Sequence, residues 1–204
     1  MTYISSPSPQ QMSEKLLDCL EAHVFAQMNA GSLVVLVHAG NSDYIRFTHK
    51  LASRFLLRQR RVYLFDYHRR IKQVYLRQLL RQQPADKLQA EQRLVLRVIL
   101  DEAHALDELV RLQRHTPSRK YPPVLIMMDP SGLFGRKRGG VKQSAEALEF
   151  QYDAAQLFTQ KGYAVFLTDF GGRQFHRIES IVPSQLATSA SLILQFLPRK
   201  IILT

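Results

Sequence analysis

Two segments carry residue types from which phosphate chemistry could be built. The first is the apolar run Leu33 to Val37, followed by His38-Ala39-Gly40-Asn41-Ser42-Asp43-Tyr44 and an amphipathic stretch. A strand, a tight turn and a helix are the setting of a phosphate-binding loop of the form GxxxxGK[ST]. Its glycines let backbone amides face phosphate oxygens, its lysine neutralises them and its hydroxyl holds magnesium. Here Gly40 is the one glycine, and Ser42-Asp43-Tyr44 or Asp43-Tyr44-Ile45 stands where Gly-Lys-Ser/Thr is required. The lysine is missing in either alignment. Asp43 adds a negative charge at the helix start, which suits the helix dipole and repels a triphosphate. Gly40, Asn41, Ser42 and Asp43 therefore read as a degenerate cofactor loop in which Asn41, Ser42 or Asp43 caps the helix.

The second segment is VLIMMDPSGLF, where Asp129 follows an apolar strand. A carboxylate there is placed to reach the magnesium shell of a bound nucleotide. Without the loop lysine it has no metal-nucleotide to serve, and we expect it to hydrogen-bond the turn that Pro130 and Gly132 favour. A third sequence, Asp101-Glu102-Ala103-His104, spells a helicase signature. The chain lacks the loop and the second lobe that such chemistry needs, and acidic residues are favoured in a helix's first turn. We therefore expect it to be a helix start. No residue is assigned a catalytic role, and ATP and magnesium are not expected as cofactors.

Positive charge is the other feature with chemical consequence. The chain of 204 residues has 28 Lys and Arg against 17 Asp and Glu, a formal charge of +11. Such an excess points to a phosphate backbone as partner, with a solvated basic face, an acidic protein or a membrane surface as alternatives. Two glycine-bearing stretches concentrate it: Arg136-Lys137-Arg138-Gly139-Gly140 with Lys142, and Gly171 to Arg177 with Arg173 and Arg177. Adjacent cations on a flexible loop can follow a phosphodiester chain, and Phe134 or Phe175 could stack on an unpaired base. A second cluster, Arg58, Arg60, Arg61, Arg69, Arg70, Lys72, Arg77 and Arg81, lies partly at a helix C-terminus, where the dipole accounts for some of it.

The elements that must position these residues alternate between short apolar runs and longer amphipathic ones, the pattern of a parallel sheet covered by helices. The predicted strands are Leu33 to Val37, Val62 to Phe65, Leu94 to Leu100, Val124 to Met128, Ala164 to Leu167 and Leu192 to Leu197, each hydrophobic enough to be buried on both faces. Helices are predicted from Ser13 to Asn29, Asn41 to Arg60, near Arg70 to Arg81, after Asp101, and from Val141 to Lys161, where Gly162 is a stop signal. Tyr44, Phe47, Leu51 and Phe55 form one sheet-facing stripe, and Ala145, Leu148, Tyr152, Ala155 and Phe158 another. Thr116 to Pro123, Pro130 to Lys142 and Phe170 to Ser191 are left as loops. The last two lie at the carboxyl edge of the sheet, where ligands gather in open parallel sheets.

One cysteine, Cys19, and seven scattered histidines offer no disulfide and no metal set. No apolar run approaches the roughly 20 residues of a membrane span, and MTYISSPSPQ lacks the features of a signal peptide. We expect residues 1–12 to be a flexible start, residues 13–204 to form one domain, and the protein to be intracellular with no membrane partner: cytoplasmic or nucleoid-associated, nuclear in a eukaryote.

The order of pieces resembles the core of the RecA/RadA recombinase superfamily, in particular its short paralogues of the recombinase-mediator type. LVVLVHAGNSDYIRFTHKLASRFL stands where the family has its P-loop strand and helix. RRVYLFDYHRRIKQVYLRQLL is similar to its second strand, ending in Asp66, and LRVILDEAHALDELVRL to its third strand and following helix. VLIMMDPSGLF is similar to its Walker B strand. SAEALEFQYDAAQLFTQKGYAVFLTDF resembles the helix and strand leading to a polar sensor, here Asp169, and ATSASLILQFLPRKIIL the strand pair that closes the core. The resemblance spans about Gly31 to Thr204 as order and pattern, without an intact diagnostic motif. It implies a single RecA-like α/β core with P-loop NTPase topology and no functional P-loop. It also implies DNA held by the two basic loops, a recombinase or another paralogue as partner, and a role in DNA repair and recombination. A diverged ATPase of the same fold, or a subunit acting mainly through protein partners, are the competing functions.

Overall fold

A computed structural model describes residues 14–38, 40, 42–81, 87–131, 141–170, 188–196 and 201–203. Apolar residues alternate sides along each strand, so every central strand feeds two cores. Val34 and Leu36 of β1 (Leu33–His38), Val62 and Leu64 of β2 (Val62–Asp66), Ile126 of β4 (Val124–Met128) and Phe166 of β5 (Ala164–Phe170) pack on one face. They meet α1 (Glu14–Gln27), α2 (Asp43–Leu57) and α3 (Gln73–Arg81). The intervening residues, Leu33, Val35, Val37, Tyr63, Phe65, Leu125, Met127, Val165 and Leu167, pack on the other face against α5 (Glu102–Gln113) and α6 (Val141–Gln160). The result is an α/β/α sandwich, as the apolar runs require.

With β3 at Leu94–Val98, the sheet order is β3-β2-β4-β5-β1-β6-β7. Six strands run parallel, and only β7 (Ile201–Leu203) turns back, pairing antiparallel with β6 (Leu192–Phe196). The fold is thus a mostly parallel α/β core of the RecA-like kind. The order sets β5 between β4 and β1, with Thr168 in register with Met128 on one side and Leu36 on the other. The carboxyl ends of these three strands form one continuous polar edge.

Several expectations need correction. The β3 strand ends at Val98 and is only partly buried, because it pairs with β2 alone and forms one border of the sheet. Its apolar run suggested burial on both faces; at an edge the same residues are half covered. The β5 strand continues to Phe170, so Asp169 lies within it. A six-residue helix, α4 (Lys87–Gln92), is too short and polar to have given a periodic signal. Pro130 and Ser131 are helical, in place of the expected turn. The α6 helix begins at Val141 as predicted. The stop after α6 is as predicted: Gly162 has φ +90°, a conformation that favours glycine.

Candidate functional site

The phosphate-loop position is closed from within by side chains. His38 ends β1, Tyr44 lies in the first turn of α2, Asp129 follows β4, and Thr168 sits on β5 between them. The Asp129 carboxylate accepts three hydrogen bonds: His38 Nε2 donates to Oδ1 at 2.6 Å, Thr168 Oγ1 to Oδ1 at 2.9 Å, and the Tyr44 hydroxyl to Oδ2 at 2.6 Å. Asp129 is 2% exposed, His38 1%, and Tyr44 and Thr168 are fully buried. The His38 and Tyr44 rings stack, 3.5 Å between centroids and 6° from parallel, and the Arg70 guanidinium stands 5.8 Å from the Tyr44 ring centre.

The protons of this network follow from its geometry. The Gly40 amide donates to His38 Nδ1 at 3.0 Å, which leaves Nε2 as the nitrogen that donates to Asp129. Burial alone would raise the Asp129 pKa. The hydrogen bond and charge of His38, with the hydrogen bonds from Tyr44 and Thr168, outweigh it, and the carboxyl is held below its ordinary value. Burial first, and the Asp129 charge second, push the Tyr44 hydroxyl far above its usual range, which fixes it as a donor. Asp129 has φ +58°, a left-handed backbone that Asp tolerates better than most residues.

Asp129 therefore bonds across to β1, α2 and β5; the expected contact with the turn around Gly132 falls on residues outside those described. Gly40 has φ +86°, as a loop glycine may, but its amide is spent on His38. Ser42 occupies the N-cap position of α2 without a side-chain cap bond. Asp43 is in the first helical turn, 5% exposed, with Arg46 at 3.3 Å. Asn41 lies outside the described residues. The loop's Gly40, Ser42 and Asp43 are thus brought beside the strand ends, but as parts of helix entry and core.

Two further carboxylates on the same edge are satisfied separately. Asp66, at the end of β2, accepts the His68 amide at 3.0 Å and the Ile71 amide at 2.7 Å, which shapes the approach to α3. Asp169 points to the opposite face from Thr168, its neighbour on β5, and accepts from the hydroxyls of Tyr152 and Ser131. Among the described residues no group of three or more His, Cys, Asp or Glu could hold a metal ion.

The helicase-like letters are a helix start. Asp101 is the N-cap of α5 and its carboxylate accepts the His104 amide at 2.8 Å. Of the second basic cluster, Arg60 is structural: it is buried and donates to the carbonyls of Met28 at 2.7 Å and Pro122 at 2.6 Å. Arg136, Lys137, Arg138, Arg173 and Arg177 lie outside the described residues, and of Lys142 only its place in the first turn of α6 is described.

His38, Tyr44 and Thr168 were not singled out by sequence. A polar residue closing an apolar strand is a weak sign for His38, and Tyr44 read only as part of an apolar stripe. No protein-family model matches the chain, and no curated protein matches it in sequence.

Proposed function

We propose that this chain is a non-catalytic RecA/RadA-like paralogue that binds DNA, or helps a recombinase onto it, and that the nucleotide position of its core has become internal structure. The observation that carries the non-catalytic part is the Asp129 carboxylate, engaged by His38, Tyr44 and Thr168 where a magnesium-nucleotide carboxylate would stand free. The missing loop lysine and the engaged Gly40 amide agree with it. The DNA-binding part is supported by the charge of +11 and by the two basic stretches of the sequence.

The test has two arms. Calorimetry with magnesium-ATP is expected to show no binding at millimolar nucleotide, and a turnover assay no hydrolysis. Tight binding that weakens in Asp129→Asn would favour a diverged ATPase. In the second arm, DNA affinity is measured from 50 to 300 mM salt for the natural chain and for Arg136→Ala/Lys137→Ala/Arg138→Ala. Loss of three phosphate contacts lowers the slope of log affinity against log salt by about 2 to 3. An unchanged slope would remove that stretch from the interface. No retention of DNA by either chain, with capture of a recombinase, would make the core a protein-binding platform.

A further inference from the structure

The opposite, amino edge of the sheet holds a pocket of about 320 Å³ that the reading above does not use. It opens where β2 and β5 begin and is roofed by the chain between α5 and β4. Arg61, Arg93 and His115 supply basic groups, and Tyr63, Tyr121 and Tyr163 supply rings. The Tyr63 ring lies 6.2 Å from that of Tyr163 and 6.2 Å from that of His115. Among the described residues no Asp or Glu lines the pocket, and neither Arg61 nor Arg93 makes an ion pair.

Two donors of this lining are unanswered. Arg93 Nη1 and the Tyr163 hydroxyl are buried and have no hydrogen-bond partner among the described residues, although Arg93 Nη2 donates to Gln89 Oε1 at 3.0 Å. Tyr163 is 1% exposed. Burial, with a smaller contribution from Tyr63 and against the Arg61 charge, raises its pKa to about 12, so the hydroxyl keeps its proton at neutral pH. Among the described residues the Arg61 guanidinium meets only the Tyr63 hydroxyl, at 3.5 Å. Buried donors left unmet are costly, and native structures rarely keep two beside one cavity without something to meet them.

We propose that this pocket binds a nucleoside phosphomonoester, with the phosphate oxygens taken by Arg61, Arg93 and the Tyr163 hydroxyl and the base laid against the tyrosine rings. Guanidinium groups match phosphate geometry, and aromatic faces accept any base. The volume is at the lower end for small-molecule pockets, which suits one nucleotide and not several. Two sources share this chemistry: a free nucleoside monophosphate and the phosphorylated end of a strand.

Calorimetry on the full chain in a phosphate-free buffer tests it, with adenosine monophosphate, adenosine, inorganic phosphate, and a short oligonucleotide with and without a 5′ phosphate. Adenosine monophosphate is expected to bind more tightly than adenosine or phosphate alone. Arg61→Gln, at an exposed position, and Tyr163→Phe are each expected to weaken it roughly tenfold, the loss of one charge-assisted hydrogen bond. Tyr163→Phe also removes an unmet buried donor, so the unliganded variant melts no lower than the natural chain while binding less well. A merely structural hydroxyl would not give that split. Preference for the 5′-phosphorylated oligonucleotide, abolished by Arg61→Gln, would identify a strand end as the source. Binding of the monophosphate without that preference would identify the free nucleotide. No binding of the monophosphate at millimolar concentration, or binding that neither substitution weakens, overturns the proposal. Both outcomes are independent of the carboxyl edge and of Arg136, Lys137 and Arg138.

Discussion

Replacing Asp129 by Asn separates a structural carboxylate from a working one. In the natural chain an ionised carboxylate accepts three hydrogen bonds from buried donors at 2.6, 2.6 and 2.9 Å. The amide keeps one acceptor oxygen, places an NH₂ against one of the three donors and loses the charge. Bonds to a charged group contribute about 1.5–3 kcal/mol each and neutral ones about 0.5–1.5 kcal/mol, while burying a neutral amide costs less than burying a carboxylate. The expected net loss is about 3 kcal/mol, which lowers a urea midpoint by about 1 M if the slope is about 3 kcal/mol per M. Tyr44→Phe removes one of the bonds but keeps the ring stacked on His38, and is expected to cost about 2 kcal/mol. The double variant should be less destabilised than the sum by about 1 kcal/mol, because both changes break the same bond.

Carboxylates held ready for catalysis or for a metal commonly destabilise their protein, so neutralising them raises stability. An Asp129→Asn midpoint equal to or above the natural one would therefore refute the structural role, and with it the main support for a non-catalytic core. The pH dependence gives the sign independently. Asp129 titrates below its unfolded value of 3.8, so the unfolded state binds more protons in that window. Its contribution is present above pH 3.8 and lost as pH falls through the lowered folded value, so the gap between natural chain and variant should close on acidification and stay constant above about pH 5.

Two further outcomes follow from other groups. Asp101→Ala removes the N-cap of α5 and should cost about 1 kcal/mol in a denaturation series. A loss of any ATP-dependent activity out of proportion to that would revive the helicase-like interpretation. His49 is buried, which lowers its pKa below 6.5 against the bond its Nδ1 makes to the Ile45 carbonyl at 2.6 Å; its Nε2 accepts the Lys72 amide at 3.1 Å. A proton on Nε2 would face that amide, so the unfolded chain takes up the proton first. Stability should rise with pH from the lowered folded value up to 6.5 and level off above it; His49→Gln should flatten that step, and an unchanged step would assign it elsewhere.

Strand positions were legible because burial on two faces leaves a continuous apolar run, as at Val124 to Met128, and helix α6 because its stripe and Gly162 agree. The border strand β3 misled for the same reason: its residues are apolar, and only pairing order shows that one side has no neighbour. The degenerate loop was legible as an absence, since a missing lysine needs no structure to be seen. What replaced it was not. His38 and Tyr44 are six residues apart, but Asp129 and Thr168 reach them only because β5 lies between β4 and β1, and a sequence does not print strand order. Asp101 was readable as a cap because its partner, His104, is three residues away.

That difference in range also says why a lysine alone would not make a nucleotide site here. Asp43→Lys would put a cation at the helix start, but Asp43 is nearly buried beside Arg46, so the new charge would meet a like one. The Gly40 amide would still be turned to His38, and the Tyr44 ring would still lie on the His38 ring with its hydroxyl on Asp129. Each of these contacts supports the next: the amide sets which imidazole nitrogen donates, the imidazole and hydroxyl hold the carboxylate ionised, and the carboxylate justifies burying all three. Removing one leaves the others with unmet buried groups, each costing about 1–3 kcal/mol. The helix entry after β1 is thereby held in place by stability, and the sheet's carboxyl edge is kept in shape by the residues that close it.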